Sequence, residues 1–181
     1  MRLSLISSAL LLIGGDAIAG APRVEPSDAA HADIGTQIVR FVSGVAGYAR
    51  WPNASDTYRL CIAGESAYLR NAPARLSRIG DRVWPVREIA LDEADPTAGC
   101  DLLYLGALSI AQKRQLLAET GGRPILTISE DNPECADASM FCLTIRDGNI
   151  SLLANLDSIS RSGIRIDPKV LQLARRRQPS P

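Results

Sequence analysis

The chain has 181 residues, of which 20 are basic and 20 acidic, so it carries no net charge at neutral pH. That balance argues against a nucleic-acid partner, which would call for a strongly basic face. Apolar residues make up 46% of the chain, ordinary for a globular domain, and aromatic residues only 4%, so each Trp and Tyr is more informative than usual.

The chain opens with Arg2, an apolar run Leu3–Ile13 and a small-x-small site at Ala17-Ile18-Ala19. The run is shorter than the roughly 18 to 20 apolar residues of a membrane span, and Gly14, Gly15 and Asp16 interrupt it. This predicts a signal peptide over residues 1–19, cleaved after Ala19, and a periplasmic protein with no lipid-bearing cysteine at its start. Cleavage removes Arg2 and Asp16 together and leaves the charge balance unchanged. The Pro- and Ala-rich stretch 20–32 reads as a flexible lead, 33–176 as one domain and 177–181 as a disordered tail.

From Asp33, a predicted N-cap, Ile34, Ile38, Phe41, Val42, Val45 and Tyr48 recur at helical spacing. Pro52 biases Trp51 away from helical angles, and Asn53, Ser55 and Asp56 supply turn chemistry before a strand over Tyr58–Ala63. Glu65–Ile79 reads as a helix made irregular by Pro73, and Arg82–Ile89 as a strand whose Pro85 places it at an edge. Next come a strand Asp101–Gly106, a helix Ser109–Thr120 capped by Ser109 and stopped by Gly121-Gly122, and a strand Pro124–Ser129. Such alternation gives parallel neighbours joined by crossovers. Met140–Arg146 and Asn149–Asn155 flank Asp147-Gly148 as a hairpin, and a short helix Leu156–Ser162, the segment Gly163–Ile166 and a terminal helix Asp167–Arg175 close the chain. The fold class is therefore α/β, a single domain with a mixed sheet of five to six strands covered by helices.

Four cysteines, Cys61, Cys100, Cys135 and Cys142, are an even number in an exported chain and point to two disulfides. Of three possible connectivities, nearness favours Cys135 with Cys142, which leaves Cys61 with Cys100. Structural staples outweigh a redox or metal role, because there is no C-x-x-C and the only histidine, His31, lies in the lead. With His31 outside the core no histidine-based triad can be built. The acidic groups Asp92, Glu93 and Asp95, and Glu130, Asp131 and Glu134, sit on Pro-containing stretches that read as solvated turns. No dinucleotide or Walker pattern is present, so no cofactor is implied and the chain does not read as an enzyme.

The order R-W-P, L-C-I-A-G, G-C-D-L-L-Y-L, P-I-L-T-I-S, a C-x6-C loop running into L-x-I-R-D-G-N-I, then N-L-D, S-G-I-R-I and K-V-L-Q-L-A resembles the YfiR family of periplasmic proteins, over about Ile34 to Ala174. The two cysteine pairs stand where that family has its disulfides. One departure is that Ala138-Ser139 replace the glycine pair usual in the second cysteine loop. The resemblance implies a repressor that binds the periplasmic sensor region of an inner-membrane diguanylate cyclase, that an outer-membrane lipoprotein can sequester, and that forms a homodimer.

Two sets of residues are candidates for binding. Arg50 and Arg165 match the family's R-W-P and G-I-R-I positions. If the terminal helix packs back toward the first, they and Arg175 converge with Trp51 into an anion-binding pocket, against the plainer expectation of surface solubility. Strand alternation puts Phe141, Leu143 and Ile145 on one face of the sheet, and Phe141, beside the cysteine loop, is the expected exposed anchor. Leu153 and Ile159 would complete one apolar partner-binding patch with it. A protein-binding repressor predicts such a patch; a small-ligand sensor module predicts a concavity lined by arginines.

Overall fold

A computed structural model describes residues 28–170 and 172, except 54, 67, 70–75, 77, 80, 81 and 121. The predicted signal peptide, most of the lead, the tail and Arg175 lie outside the described residues. Helix α1 (Asp28–Tyr48) runs directly into a two-residue strand β1 (Ala49–Arg50). It starts earlier than the predicted cap at Asp33, as the good helix formers Ala29, Ala30 and Ala32 allow. The Asp33 carboxylate instead accepts from Gln37 Nε2 one turn on, at 3.1 Å.

The main sheet holds β2 (Leu60–Ala63), β5 (Val86–Ile89), β6 (Leu102–Leu105), β7 (Leu126–Ser129), β8 (Phe141–Arg146) and β9 (Asn149–Ala154), in the order β5-β2-β6-β7-β8-β9. Five strands are parallel and β9 alone is antiparallel, so the sheet is mixed as expected. Every residue of β2, β6 and β7 is buried, which requires cover on both faces. On one face Ile62, Tyr104, Ile128, Phe141 and Leu143 pack into the same core as Ile38, Val42 and Val45 of α1. On the other, Cys61, Leu103, Leu105 and Ile125 pack with Leu116 of α2 (Ile110–Glu119). Helix α2 has the predicted Ser109 cap, completed as a capping box: Ser109 Oγ accepts from Gln112 N and Gln112 Oε1 accepts from Ser109 N.

The hairpin turns at Asp147 (φ +48°) and Gly148 (φ +73°), the pair of positive φ values that a tight two-residue turn demands. After it, α3 (Leu156–Arg161), N-capped by Asn155, leads into β10 (Arg165–Ile166), which pairs antiparallel with β1. Of the terminal helix, Val170 and Gln172 are helical and the residues beyond lie outside the described set. Both disulfides form, Cys61–Cys100 and Cys135–Cys142.

Two predicted elements change. Glu65–Ile79 is not one helix: Gly64–Ser66 and Tyr68–Leu69 are non-helical, with Ser66 Oγ accepting from Tyr68 N and Leu69 N, and β3 (Arg78–Ile79) pairs antiparallel with β4 (Arg82–Val83). The middle of that stretch lies outside the described residues. The loop lies so close to α1 that a Cβ on Gly35 would overlap the Tyr68 carbonyl oxygen. Arg82–Ile89 likewise divides at Trp84-Pro85, because proline has no N–H to extend the ladder, and β5 then forms one edge of the main sheet.

Candidate functional site

The antiparallel pairing of β1 with β10 sets Arg50 directly opposite Arg165, and both side chains are exposed. Like charges placed so repel. Arg50 is turned back, donating from Nη1 to the Gly47 and Ala49 carbonyls at 2.7 and 2.8 Å, where it caps the last turn of α1. Trp51 follows, half-buried, with its indole N–H donating to Asp101 O at 3.3 Å. Its ring belongs to a cluster with Tyr58 and Trp84, centroids 4.5 and 5.8 Å away, and Arg82 lies 5.3 Å over the Tyr58 ring. The fold thus brings together Arg50, Trp51 and Arg165 of the predicted set.

The hairpin register separates the residues of the predicted apolar patch. Phe141 pairs with Ala154, and Leu153 pairs with Cys142, so Phe141 and Leu153 point to opposite faces of the sheet. Phe141 is fully buried in the α1-side core and is not an exposed anchor; the core shared with α1 reaches the start of β8. Ile159 is half-buried against the same core. Leu153 is 46% exposed, and Leu156, three residues on at the start of α3, is 66% exposed. Leu153 and Leu156 are thus two exposed leucines on and just beyond an edge strand of the main sheet; Val83, Leu91 and Ile110 are the other exposed large apolar residues among those described.

Where the parallel strands end, the chain makes a polar network that the sequence reading missed. Glu130, which follows β7, accepts at Oε2 from Tyr104 OH (2.6 Å) and Ser66 Oγ (2.5 Å), and Lys113 Nζ donates to the Glu130 carbonyl at 2.7 Å. Glu130 and Lys113 are only 5% and 3% exposed, so the expected solvated turn holds for Asp131 and Glu134 but not for Glu130. Burial raises the Glu130 carboxyl above its ordinary range, against the opposing pull of its Ser66 and Tyr104 donors. Burial pushes the Lys113 ammonium down, opposed by Asp137, Glu130 and Asp131, and drives the Tyr104 phenol well up. The only sequence sign was position: Glu130 directly follows a strand buried along its whole length.

This network lies at the carboxyl ends of β2, β6 and β7, where open α/β sheets commonly hold ligands. Here the chain fills the place itself. A Cβ on Gly106 would strike the Gly64 and Glu65 carbonyls, and Ala107 N donates to Glu65 O at 2.6 Å. The network is thus a closure of the sheet end.

The remaining acidic turn is surface chemistry, with Glu93 paired to Arg87 at 2.7 Å and Asp95 to Arg123 at 3.0 Å. No helix among the described residues is long and apolar enough to cross a membrane. A family model described as YfiR/HmsC-like matches residues 38–175, which takes in every strand and helix described above apart from the first turns of α1.

Proposed function

Because the chain belongs to the YfiR/HmsC-like family, we propose that it is a periplasmic regulatory protein that binds the sensor region of an inner-membrane diguanylate cyclase and represses cyclic di-GMP synthesis. The observation that carries a protein-binding role is the pair of exposed leucines, Leu153 and Leu156, beside the uncapped edge of β9. Large apolar side chains held out on a rigid strand and helix start are the anchors that a partner surface buries. Ile159 and the neighbouring edge supply the rim. An outer-membrane lipoprotein that covered the same leucines would release the cyclase, and self-association through them would give a homodimer.

The test is a titration of the mature protein against the periplasmic region of a membrane cyclase recovered with it from inner-membrane extract. Leu153→Asp and Leu156→Asp are expected to weaken binding tenfold or more with the melting temperature kept, and to raise cyclic di-GMP in cells. Unchanged binding in both variants would remove this surface from the proposal.

A second reading, a ligand-sensing module, is favoured by one observation, the register that sets Arg50 opposite Arg165 beside Trp51. Arginines on facing residues suit an anion carried on a planar body, Arg50 leaving the Gly47 and Ala49 carbonyls to reach it. Loss of anion binding in Arg165→Gln, with folding kept, is the expected result.

A further inference from the structure

A second cleft, separate from the arginine pair and from the exposed leucines, lies between α2, the Cys135–Cys142 loop and α3, with a volume of about 500 Å³. It is lined by both signs of charge. Asp137 contributes from the loop, Arg114 and Arg123 from α2 and the turn after it, and Arg161 from α3. We propose that this cleft binds a small zwitterion in which an ammonium lies a few bonds from a phosphate, the ammonium on Asp137 and the phosphate on Arg114 and Arg161.

The argument starts from Asp137, which is 1% exposed. Its Oδ1 accepts from Ser139 N at 2.8 Å, while Oδ2 is buried without a hydrogen-bond partner among the described residues. Buried polar atoms are almost always partnered, so a carboxylate oxygen held there calls for an N–H donor. No donor among the described residues reaches it: the Lys113 ammonium, near enough for Asp137 to favour its charge, makes its hydrogen bond to the Glu130 carbonyl and none to Oδ2. The guanidinium groups divide differently. Arg123 makes hydrogen bonds from all three of its nitrogens, to Asp95, Thr97, Glu119 O and Thr120 O. Arg114 spends Nε and Nη2 on Ala136 O, at 2.9 and 2.6 Å, and keeps its third nitrogen. Arg161 makes one ion pair, to Asp157 within its own helix at 2.5 Å, with its side chain 67% exposed. Pairs that exposed exchange partners at little cost.

A simple anion entering the cleft meets the Asp137 carboxylate, and a simple cation meets three arginines. A molecule carrying both signs satisfies each end. Two guanidiniums with donors to spare fit a phosphate better than a carboxylate, since a phosphate offers oxygens to both. The same chemistry occurs in free O-phosphoethanolamine and in an ethanolamine lipid headgroup.

The test is an amide-resolved NMR titration of the mature protein with O-phosphoethanolamine. Shifts are expected at Arg114, Ala136–Ala138 and Arg161. Phosphocholine, whose quaternary nitrogen has no N–H to give Asp137, is expected to bind at least tenfold more weakly, as are inorganic phosphate and ethanolamine alone. Asp137→Asn and Arg161→Gln should each weaken binding tenfold or more. Flotation with vesicles of phosphatidylethanolamine but not phosphatidylcholine would assign the lipid source, and binding in solution without flotation the soluble one. Equal binding of phosphocholine, shifts centred elsewhere, or no shift at all would overturn the proposal. If Asp137→Asn does not fold, the phosphocholine comparison and Arg161→Gln decide it alone. None of these readouts depends on the cyclase, so failure here leaves the repressor proposal standing.

Discussion

Truncating Phe141 and Leu153 to alanine separates core from partner surface, because the two residues sit on opposite faces of one hairpin. Phe141 has no exposed surface, so Phe141→Ala opens a cavity in the α1-side core. Such a change costs about 3–5 kcal/mol, and at about 2–4 °C per kcal/mol for a domain of this size the melting temperature falls by roughly 10 °C. Leu153 is 46% exposed, so only about half its side chain is removed from water by folding. With about 1.5–3 kcal/mol for complete burial of a leucine, Leu153→Ala costs roughly 1 kcal/mol. Binding should respond in the reverse sense: Leu153→Ala loses about 2 kcal/mol of affinity, roughly 30-fold, as a hot spot does. Calorimetric melts and cyclase titrations on both variants are the assay. A Phe141→Ala protein that melts like wild type and binds poorly, beside a Leu153→Ala protein that binds normally, would refute the assignment of faces.

Three further outcomes are expected. Burial raises the Glu130 carboxyl in the folded protein, so the native state holds its proton to higher pH than the unfolded chain; stability should fall as pH rises from the ordinary carboxyl value of 4.5 through the raised folded value. Urea melts of Glu130→Gln should lack that component of the slope, since an amide oxygen can still accept from Tyr104 and Ser66; an unchanged slope would contradict it. Ala138 sits at φ +72°, so Ala138→Gly should raise stability by about 0.5–1 kcal/mol in denaturant melts. Removing the Cys61–Cys100 bond, which joins residues 39 apart, should cost roughly 4 kcal/mol on the chain-entropy account, read as a lower urea midpoint for the double Cys→Ser protein.

Much of the fold follows from local pattern. The continuous apolar runs at Leu60 and Leu102 call for cover on both faces, and Asp147-Gly148 fixes the hairpin. Ser109 and Gln112 announce a helix start by side-chain chemistry alone. What pattern does not carry is which layer reaches how far. Alternation placed Phe141 on one face correctly, yet only the seating of α1 shows that this face is covered at the very start of β8. The failed helix after β2 has the same origin, because Gly35 admits the loop backbone against α1 and a tertiary contact overrides local propensity. Glu130 looked like its neighbours Asp131 and Glu134, and its burial depends on Tyr104 and Ser66, which are 26 and 64 residues away in the chain. Arg50 and Arg165 were paired through resemblance, and the β1–β10 register supplies a geometric ground for that pairing.

The Cys61–Cys100 bond also changes what a cut in the backbone means. It makes residues 61–100 a closed ring that includes β3, β4, β5 and the exposed turn at Asp92–Asp95. A periplasmic protease that nicks this turn opens the ring without releasing a fragment, since both new ends remain joined through sulfur. The nicked molecule should therefore keep its mass without reductant and part into two pieces only with it. The stretch between the first and second core crossovers is thus the one region where this protein can be cleaved and remain a single covalent molecule through that bond.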